Sequence, residues 1–169
     1  LYSYDMGRAT DENMLDLLCT ELSVTKKSVK EAQARVHKIL ENIEDIDDLI
    51  AKTSHSYEFE RIQSVERNIL RMSIFELLFD DTIPEKVAIV EAMRLARKFS
   101  TKASSSFVNA ILDALYKSSQ GQTVDENQLQ ASAEELELIE RISKEASLQK
   151  QSESSSQKED DEDDKEEDL

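Results

Sequence analysis

The sequence predicts an all-α protein, and three observations lead to that prediction. The chain has 169 residues but only 2 glycines and 1 proline, which is too few for the many turns of a β fold. Charged residues make up 34% and hydrophobic residues 38% of the chain, a composition typical of amphipathic helices around one modest core. Apolar residues recur at steps of three and four through most of residues 1–118, as on one face of an α-helix.

Residues 1–54 are predicted to form the first half of a two-part bundle. Leu1–Met6 has the pattern of the last turns of a helix that Gly7 ends. A second helix begins with a cap at Thr10 or Asp11, and its apolar residues are Met14, Leu15, Leu17, Leu18 and Leu22. A third begins near Ser23 or Thr25 and runs without interruption through the stripe Val29, Ala32, Val36, Ile39, Ile43, Ile46 and Ile50.

Residues 58–118 are predicted to form the second half, after a polar break at Lys52–Glu58. The fourth helix, about Glu60–Phe79, becomes apolar on all sides from Ile69, so we expect neighbours to surround it. Pro84 begins the fifth helix, whose apolar residues are Val87, Ile89, Val90, Ala92, Met93, Ala96 and Phe99. A turn rich in serine and threonine precedes the sixth helix, which presents Phe107, Val108, Ile111, Leu112 and Leu115. The whole is a bundle of about six to seven helices.

Beyond residue 118 the helical pattern weakens. Residues 119–149 are predicted to be a weakly helical extension, in which Glu134–Leu148 forms a solvent-exposed helix. Residues 150–169 are predicted to be a disordered acidic tail because they are almost devoid of apolar side chains. Residues 151–169 contain ten acidic residues and two lysines, about half of the formal net charge of −16.

The residues that carry catalysis or bind metals are scarce, so we expect a binding protein that is not an enzyme and needs no cofactor or metal. His37 and His55 have no thiol or carboxylate pair at ligand spacing, and no glycine-rich phosphate loop is present. The single cysteine, Cys19, excludes an internal disulfide and is typical of the reducing cytoplasm. No stretch is long and apolar enough to span a membrane, so we expect a cytoplasmic protein.

Two groups of residues are candidate contact sites. Phe107 follows Lys98, Lys102 and the Ser104–Ser106 turn, and an aromatic ring beside cations at a helix N-terminus can stack a base and hold a phosphate. Phe107 is also in register with Ile111 and Leu115, so a position in the core is the alternative. The second group is Glu66 with Arg67 and Arg71, for which ion pairs with neighbouring helices are the alternative to a partner contact.

The segments VERNILRMSIFELL, IPEKVAIVEAMRLARKF and SFVNAILDAL carry a family pattern within residues 64–115. They resemble the NusB family of bacterial transcription antitermination factors, whose pattern is roughly ERxILRxxxxELL, IPxKVAInEAvxLAKxF and KFVNGVLDxL. The opening LYSYD also resembles the end of the family's first helix. The matching positions include Glu66, Arg67, Ile69, Leu70, Arg71, Glu76, Leu77, Leu78, Ile83, Pro84, Lys86, Val87, Ala88, Ile89, Glu91, Ala92, Phe107, Val108 and Asn109.

The resemblance implies a NusB-like bundle that supports ribosomal RNA transcription within the RNA polymerase antitermination complex. It implies binding to a boxA-type RNA element together with NusE, a ribosomal protein of the small subunit. By position, Glu66 with Arg67 corresponds to the NusE side, and Phe107 with Tyr2 to the RNA side. Lys98, Lys102 and Ser106 complete the predicted RNA-binding residues.

Departures from the family pattern leave alternatives open. The family usually carries an Arg-rich segment just before LYSYD, and this chain begins at Leu1. The turn Ser100–Ser106 lacks the family's acidic residue and lysine, and Ala110 replaces a glycine. A helical adaptor that binds protein, with weak or no RNA binding, is therefore the alternative. A NusB-like domain of a ribosomal RNA methyltransferase is less consistent with the sequence, because no glycine-rich cofactor motif follows. The acidic tail can act as an electrostatic gate against RNA or can merely confer solubility.

Overall fold

A computed structural model of the chain describes residues 1–7, 17–21, 23–54 and 57–163, with side chains as far as Leu148. Every regular element in these residues is helical, which confirms the all-α prediction. The elements are α1 (Tyr2–Asp5), α2 (Lys26–Glu41), α3 (Ile43–Ser54), a 3₁₀ turn (Phe59–Arg61), α4 (Ser64–Leu78), α5 (Glu85–Phe99), α6 (Lys102–Ser119) and α7 (Glu126–Asp163).

The first short helix ends at a glycine in the left-handed conformation. Gly7 follows α1 with φ of +63° and donates its N–H to the carbonyl of Tyr4 at 2.9 Å, as a helix end requires. Residues 17–21 are also helical, in agreement with the predicted second helix. Its predicted caps, Thr10 and Asp11, and the predicted apolar residues Met14, Leu15 and Leu22 lie outside the described residues.

The prediction of one uninterrupted third helix is wrong, because Asn42 divides it into α2 and α3. The Asn42 side chain donates to the carbonyl of Lys38 at 2.8 Å, and its backbone is turned out of helical geometry at φ −110° and ψ 13°. An asparagine that binds the preceding turn competes with the helical ladder. Thr25 is the cap of α2, with Oγ1 accepting from the N–H of Ser28 at 3.1 Å.

The connection between α3 and α4 lies later in the chain than the predicted polar break and is attached to the core. Helix α3 extends to Ser54, and α4 begins at Ser64 rather than near Glu60. Between them Tyr57 is only 2% exposed, and its carbonyl accepts from the Ser54 hydroxyl at 2.9 Å. His55 lies outside the described residues. The connection is thus held by a buried aromatic side chain.

Helix α4 is the centre of the bundle, as its sequence predicts. It packs against α1, α2, α3, α5 and α6. Because neighbours surround it, apolar side chains are buried on several of its faces: Ile69, Leu70, Ile74, Phe75 and Leu77.

Helices α5 and α6 form the face that carries the candidate site. Pro84 caps α5, and the residues that α5 buries are the alanines Ala88, Ala92 and Ala96. Three residues predicted for its apolar face are instead exposed: Val87, Val90 and Phe99. The alanines face the neighbouring helices and allow close packing. The three larger side chains therefore lie on the solvent side of α5. Helix α6 begins at Lys102, so Ser104–Ser106 are helical and do not form the predicted turn.

The prediction of a solvent-exposed extension needs correction, because α7 buries one of its faces against the bundle. Leu129, Ala133 and Leu136 are buried, and α7 packs on α6 and α3. Their spacing of three and four residues gives α7 one apolar face, while Ile139 and Ile142 are exposed. Helix α7 continues to Asp163, within the predicted acidic tail, and residues 164–169 lie outside the described part. No helix of the described residues is long and apolar enough to cross a membrane.

Candidate nucleic-acid interface

A groove between the end of α5 and the beginning of α6 contains two of the five predicted RNA-binding residues, Lys102 and Ser106. Its volume is about 450 Å³. Helix α5 contributes Met93 and Arg97, and α6 contributes residues of its first two turns. The full lining is Met93, Arg97, Ser100, Thr101, Lys102, Ser105, Ser106 and Asn109. The groove therefore joins Lys102 and Ser106, which the sequence predicts, with Arg97 and Asn109, which it does not.

Two cations, Arg97 and Lys102, line this groove, and Lys98 follows Arg97 at the end of α5. Arg97, Lys98 and Lys102 are exposed, and none forms an ion pair with another described residue. The Lys98 ammonium lies 5.1 Å from the centroid of the Phe99 ring, which is 58% exposed. In a chain with a net charge of −16, unpaired cations beside an exposed aromatic ring form a local surface suited to a polyanion.

The beginning of α6 adds backbone donors to this cluster. Thr101 caps the helix, with its Oγ1 accepting from the N–H of Ser104 at 3.1 Å. Lys102 occupies the first helical position, where its charge adds to the positive end of the helix dipole. The Ser105 hydroxyl, in the groove wall, has no partner among the described atoms although Ser105 is only 7% exposed. An anion at this point would relieve the excess positive charge.

Phe107 lies in the core, where the structure places it 1% exposed. Its ring packs against that of Tyr57, with centroids 5.2 Å apart. The stacking role predicted for Phe107 does not fit this geometry, because a base cannot reach a ring that the protein covers. The register with Ile111 and Leu115 had indicated this alternative, and both of those residues are also buried.

A second groove, of about 490 Å³, lies on the other side of the α6 N-terminus. Thr101 lines both grooves. The second groove is bordered on one side by α7 and on the other by Arg61, Glu66, Ser104 and Phe107. Glu66 and Phe107, predicted for different partners, therefore line the same groove.

The two predicted partner-binding residues are engaged within the chain. Glu66 is 6% exposed and accepts from the Ser100 hydroxyl at 2.6 Å. Arg67 donates from Nη2 to Oδ2 of Asp5 at 3.0 Å. Ion pairing within the fold was the alternative that the sequence left open for this group, and the structure places Arg67 in such a pair.

An ion-pair network fixes α1, the helix that carries Tyr2. Asp5 accepts from Arg67, Asn68 and Arg71, the last at 2.7 Å. Burial by itself would raise the pKa of the Asp5 carboxyl, but these hydrogen bonds outweigh it and hold the pKa below its usual value. Tyr2 is 49% exposed on this helix. The network thus holds α1 against α4 and leaves the Tyr2 side chain about half exposed.

Residues suited to metal binding do not gather in the described part of the chain. No group of three His, Cys, Asp or Glu side chains there can hold a metal ion.

The sequence analysis did not predict Arg97 and Asn109 as residues of the site, because a groove between two helices cannot be read from the sequence of either. A basic residue at a helix C-terminus is expected for the helix dipole alone, and the groove that gives it a second use forms only when α5 and α6 pack.

Comparison with known proteins gives a consistent family assignment. The model of the NusB family matches residues 1–117. Proteins called transcription antitermination protein NusB are similar to this chain in sequence. The protein from Chloroherpeton thalassium is 35% identical over 117 residues, which are 69% of this chain and 56% of that protein. The protein from Myxococcus xanthus is 36% identical over 117 residues, which are 67% of this chain and 84% of that protein.

Two solved structures share the fold. Thermotoga maritima NusB has a TM-score of 0.60 and 32% identity, covering 76% of this chain and 88% of that one. A chain in a crystal structure described as a plectonemic RNA supercoil has a TM-score of 0.63 and 26% identity, covering 73% and 90%. The family match ends at residue 117, before α7 begins at Glu126.

Proposed function

The chain belongs to the NusB family of transcription antitermination factors, and from that premise we propose that it binds boxA-type RNA together with the ribosomal protein NusE. In this role it supports ribosomal RNA transcription as part of the RNA polymerase antitermination complex in the cytoplasm. Nothing in the role requires catalysis, and the site is assigned to binding. The observation that carries the proposal is that the cations at the end of α5 and the beginning of α6 form no ion pair with the residues that the structure describes.

The chemistry of the α5–α6 groove supports RNA as its ligand. Arg97 and Lys102 offer two charges for phosphates in the groove, with the neutral donors Ser106 and Asn109 beside them, and Lys98 adds a third charge at the end of α5. Single-stranded RNA combines phosphates with exposed bases, and Phe99 is the exposed aromatic ring at this cluster. We assign phosphate contacts to Lys98, Lys102 and Ser106, and an additional contact to Tyr2. Phe107 is assigned a structural role, since it packs in the core and anchors the first turns of α6 there.

The proposed NusE side lies around Glu66 and Arg67. Both side chains are held by intramolecular hydrogen bonds, so a partner must exchange with Ser100 or Asp5 to contact them directly. Exchange of this kind is feasible at Glu66, because a hydroxyl is a weaker partner for a carboxylate than a cation is. The proximity of Glu66 to Thr101, across the second groove, supports joint binding of protein and RNA at neighbouring surfaces.

A binding titration of the full chain tests the proposal. Fluorescently labelled boxA RNA is titrated with the protein alone, with NusE alone and with both. We expect weak binding by the protein alone and at least tenfold tighter binding by the two together, about 1.4 kcal/mol of coupling. A scrambled RNA of equal length and composition is the control. Equal affinity of the protein–NusE pair for both RNAs would contradict the proposal.

A second candidate function is a helical adaptor that binds protein with little or no RNA affinity. The net charge of −16 favours it, because long-range repulsion opposes any polyanion. The same titration separates the two functions. The adaptor predicts binding to NusE at an affinity that RNA leaves unchanged, whereas the RNA-binding function predicts that each ligand tightens the other.

A further inference from the structure

Helix α7 covers part of the family domain next to the proposed RNA groove. It begins at Glu126, beyond the family match. Leu129, Ala133 and Leu136 bury one face of α7, which packs on α6 and α3. The extension is therefore seated on the domain, on the same helix whose N-terminus forms the proposed RNA site.

Two glutamates of α7 hold one cation of the domain, Arg61. Its Nη1 donates to Oε1 of Glu137 at 2.8 Å, and its Nη2 donates to Oε2 of Glu140 at 3.1 Å. The guanidinium lies 4.8 Å from the centroid of the Tyr57 ring, and the Tyr57 hydroxyl donates to Glu140. Anionic oxygens at two guanidinium nitrogens are also what a phosphate offers to an arginine.

The groove that Arg61 lines meets the proposed RNA groove at Thr101. Thr101 lines both the α5–α6 groove and the groove beside α7, and Arg61 lines the latter. The opposite side of that groove carries Glu140. A single strand bound at Lys102 that continues past Thr101 therefore meets Arg61 and the acidic side of α7 together.

We propose that Arg61 is a phosphate-binding residue of the RNA surface and that Glu137 and Glu140 of α7 occupy it until RNA displaces them. The proposal rests on the RNA-binding function proposed above and adds a site and a means of regulation. The exchange replaces two carboxylates with phosphate oxygens, so Arg61 never remains unpaired. Water reaches the pair, since the side chains of Arg61 and Glu137 are 37% and 44% exposed, and exchange can therefore proceed without unfolding.

The test is a set of full-length variants titrated with boxA RNA at one salt concentration. The double variant Glu137→Gln and Glu140→Gln is expected to bind RNA about fivefold more tightly, the effect of an exposed ion pair that RNA no longer has to break. Arg61→Gln alone is expected to change the affinity less than about twofold, because α7 already occupies the arginine. Combining Arg61→Gln with the double variant is expected to remove the gain.

A second double variant controls for overall charge. Glu135→Gln and Glu145→Gln removes two charges from exposed positions of the same helix. The proposal is overturned if this control raises the affinity as much, or if the gain persists without Arg61. It is also overturned if the Glu137 and Glu140 changes tighten binding to NusE but not to RNA. Lys102→Ala is measured in parallel. If it lowers the affinity while the α7 variants do not raise it, the α7 proposal alone fails, and if Lys102→Ala has no effect either, the proposed RNA function fails.

Discussion

Arg71 and Asp47 form a two-contact ion pair, with Nε 2.7 Å from Oδ1 and Nη2 2.6 Å from Oδ2. The same guanidinium donates from Nη1 to Asp5, so one arginine of α4 joins α3 to α1. Burial lowers the pKa of Arg71, but the two carboxylates outweigh that effect and raise it. This connection explains how a helix of four residues keeps a defined position against α4.

Removing the Asp5 carboxylate should destabilise the protein more at neutral pH than in acid. Asp5→Asn is expected to lower the free energy of unfolding at pH 7 by about 2 kcal/mol, because three donors lose a charged acceptor. The folded-state pKa of Asp5 lies below its usual value, so its contribution is present above about pH 4 and is lost as the pH falls further. Urea unfolding at pH 7 and pH 3 measures this difference.

The matched control for Asp5 is Asp48→Asn. Asp48 pairs with Lys52 at 3.4 Å on the open surface of α3, where such a pair contributes little. The wild type and Asp48→Asn should lose stability in acid to similar extents, and Asp5→Asn should lose less. Parallel pH profiles for all three proteins would exclude a special role for Asp5.

Lys102 should contribute one phosphate contact to RNA binding. Lys102→Ala is expected to weaken boxA RNA binding several-fold and to reduce the slope of log affinity against log salt by about 0.7, as for one released counterion on a single strand. Lys117→Ala is the control, since Lys117 lies on the same helix but is paired with Asp113 at 2.7 Å. An unchanged slope for Lys102→Ala would mean that the cation does not touch phosphate.

The helices were largely predictable from the sequence, whereas their interruptions and the site were not. Spacing located α4, α5 and α6 because a buried face requires apolar residues every three or four positions. The break at Asn42 depends on one side-chain hydrogen bond, and the spacing of the apolar residues gives no sign of it. Tyr57 was predicted as part of a polar break because its neighbours are polar, and only the folded chain shows that it packs on Phe107.

Phe107 illustrates why the sequence alone does not show which aromatic residue belongs to the site. An aromatic side chain that stacks a base and one that fills a core follow the same spacing on a helix. Lys98, which precedes Phe107 in the sequence, lies beside Phe99 in the structure, and Phe99 is the exposed ring. The ring of Phe107 is covered in part by Tyr57, which lies far from it in the sequence.

Replacing Phe107 should therefore affect stability more than RNA binding. Phe107→Leu is expected to lower the free energy of unfolding by about 1 kcal/mol, since it keeps most of the buried volume. The RNA affinity of the folded variant is expected to stay within about twofold of the wild type, because the ring is covered. Thermal unfolding and the boxA titration measure the two effects. A tenfold loss of RNA affinity with near-native stability would instead show that the ring reaches RNA, as the family resemblance implies.

The charge of Glu66 should matter for NusE and not for RNA. Glu66→Gln keeps the shape of the side chain and an oxygen that can accept from the Ser100 hydroxyl, so the fold is preserved. If NusE exchanges with Ser100 at this carboxylate, the loss of a charge-assisted hydrogen bond should weaken NusE binding about tenfold. Glu60→Gln is the control, because Glu60 lines the same groove but is exposed. The NusE affinities are measured by calorimetry. Equal affinities for the two variants would show that Glu66 is not part of the partner surface. RNA binding by Glu66→Gln is expected to stay unchanged, since the Glu66 side chain is only 6% exposed and is engaged with Ser100 inside the fold.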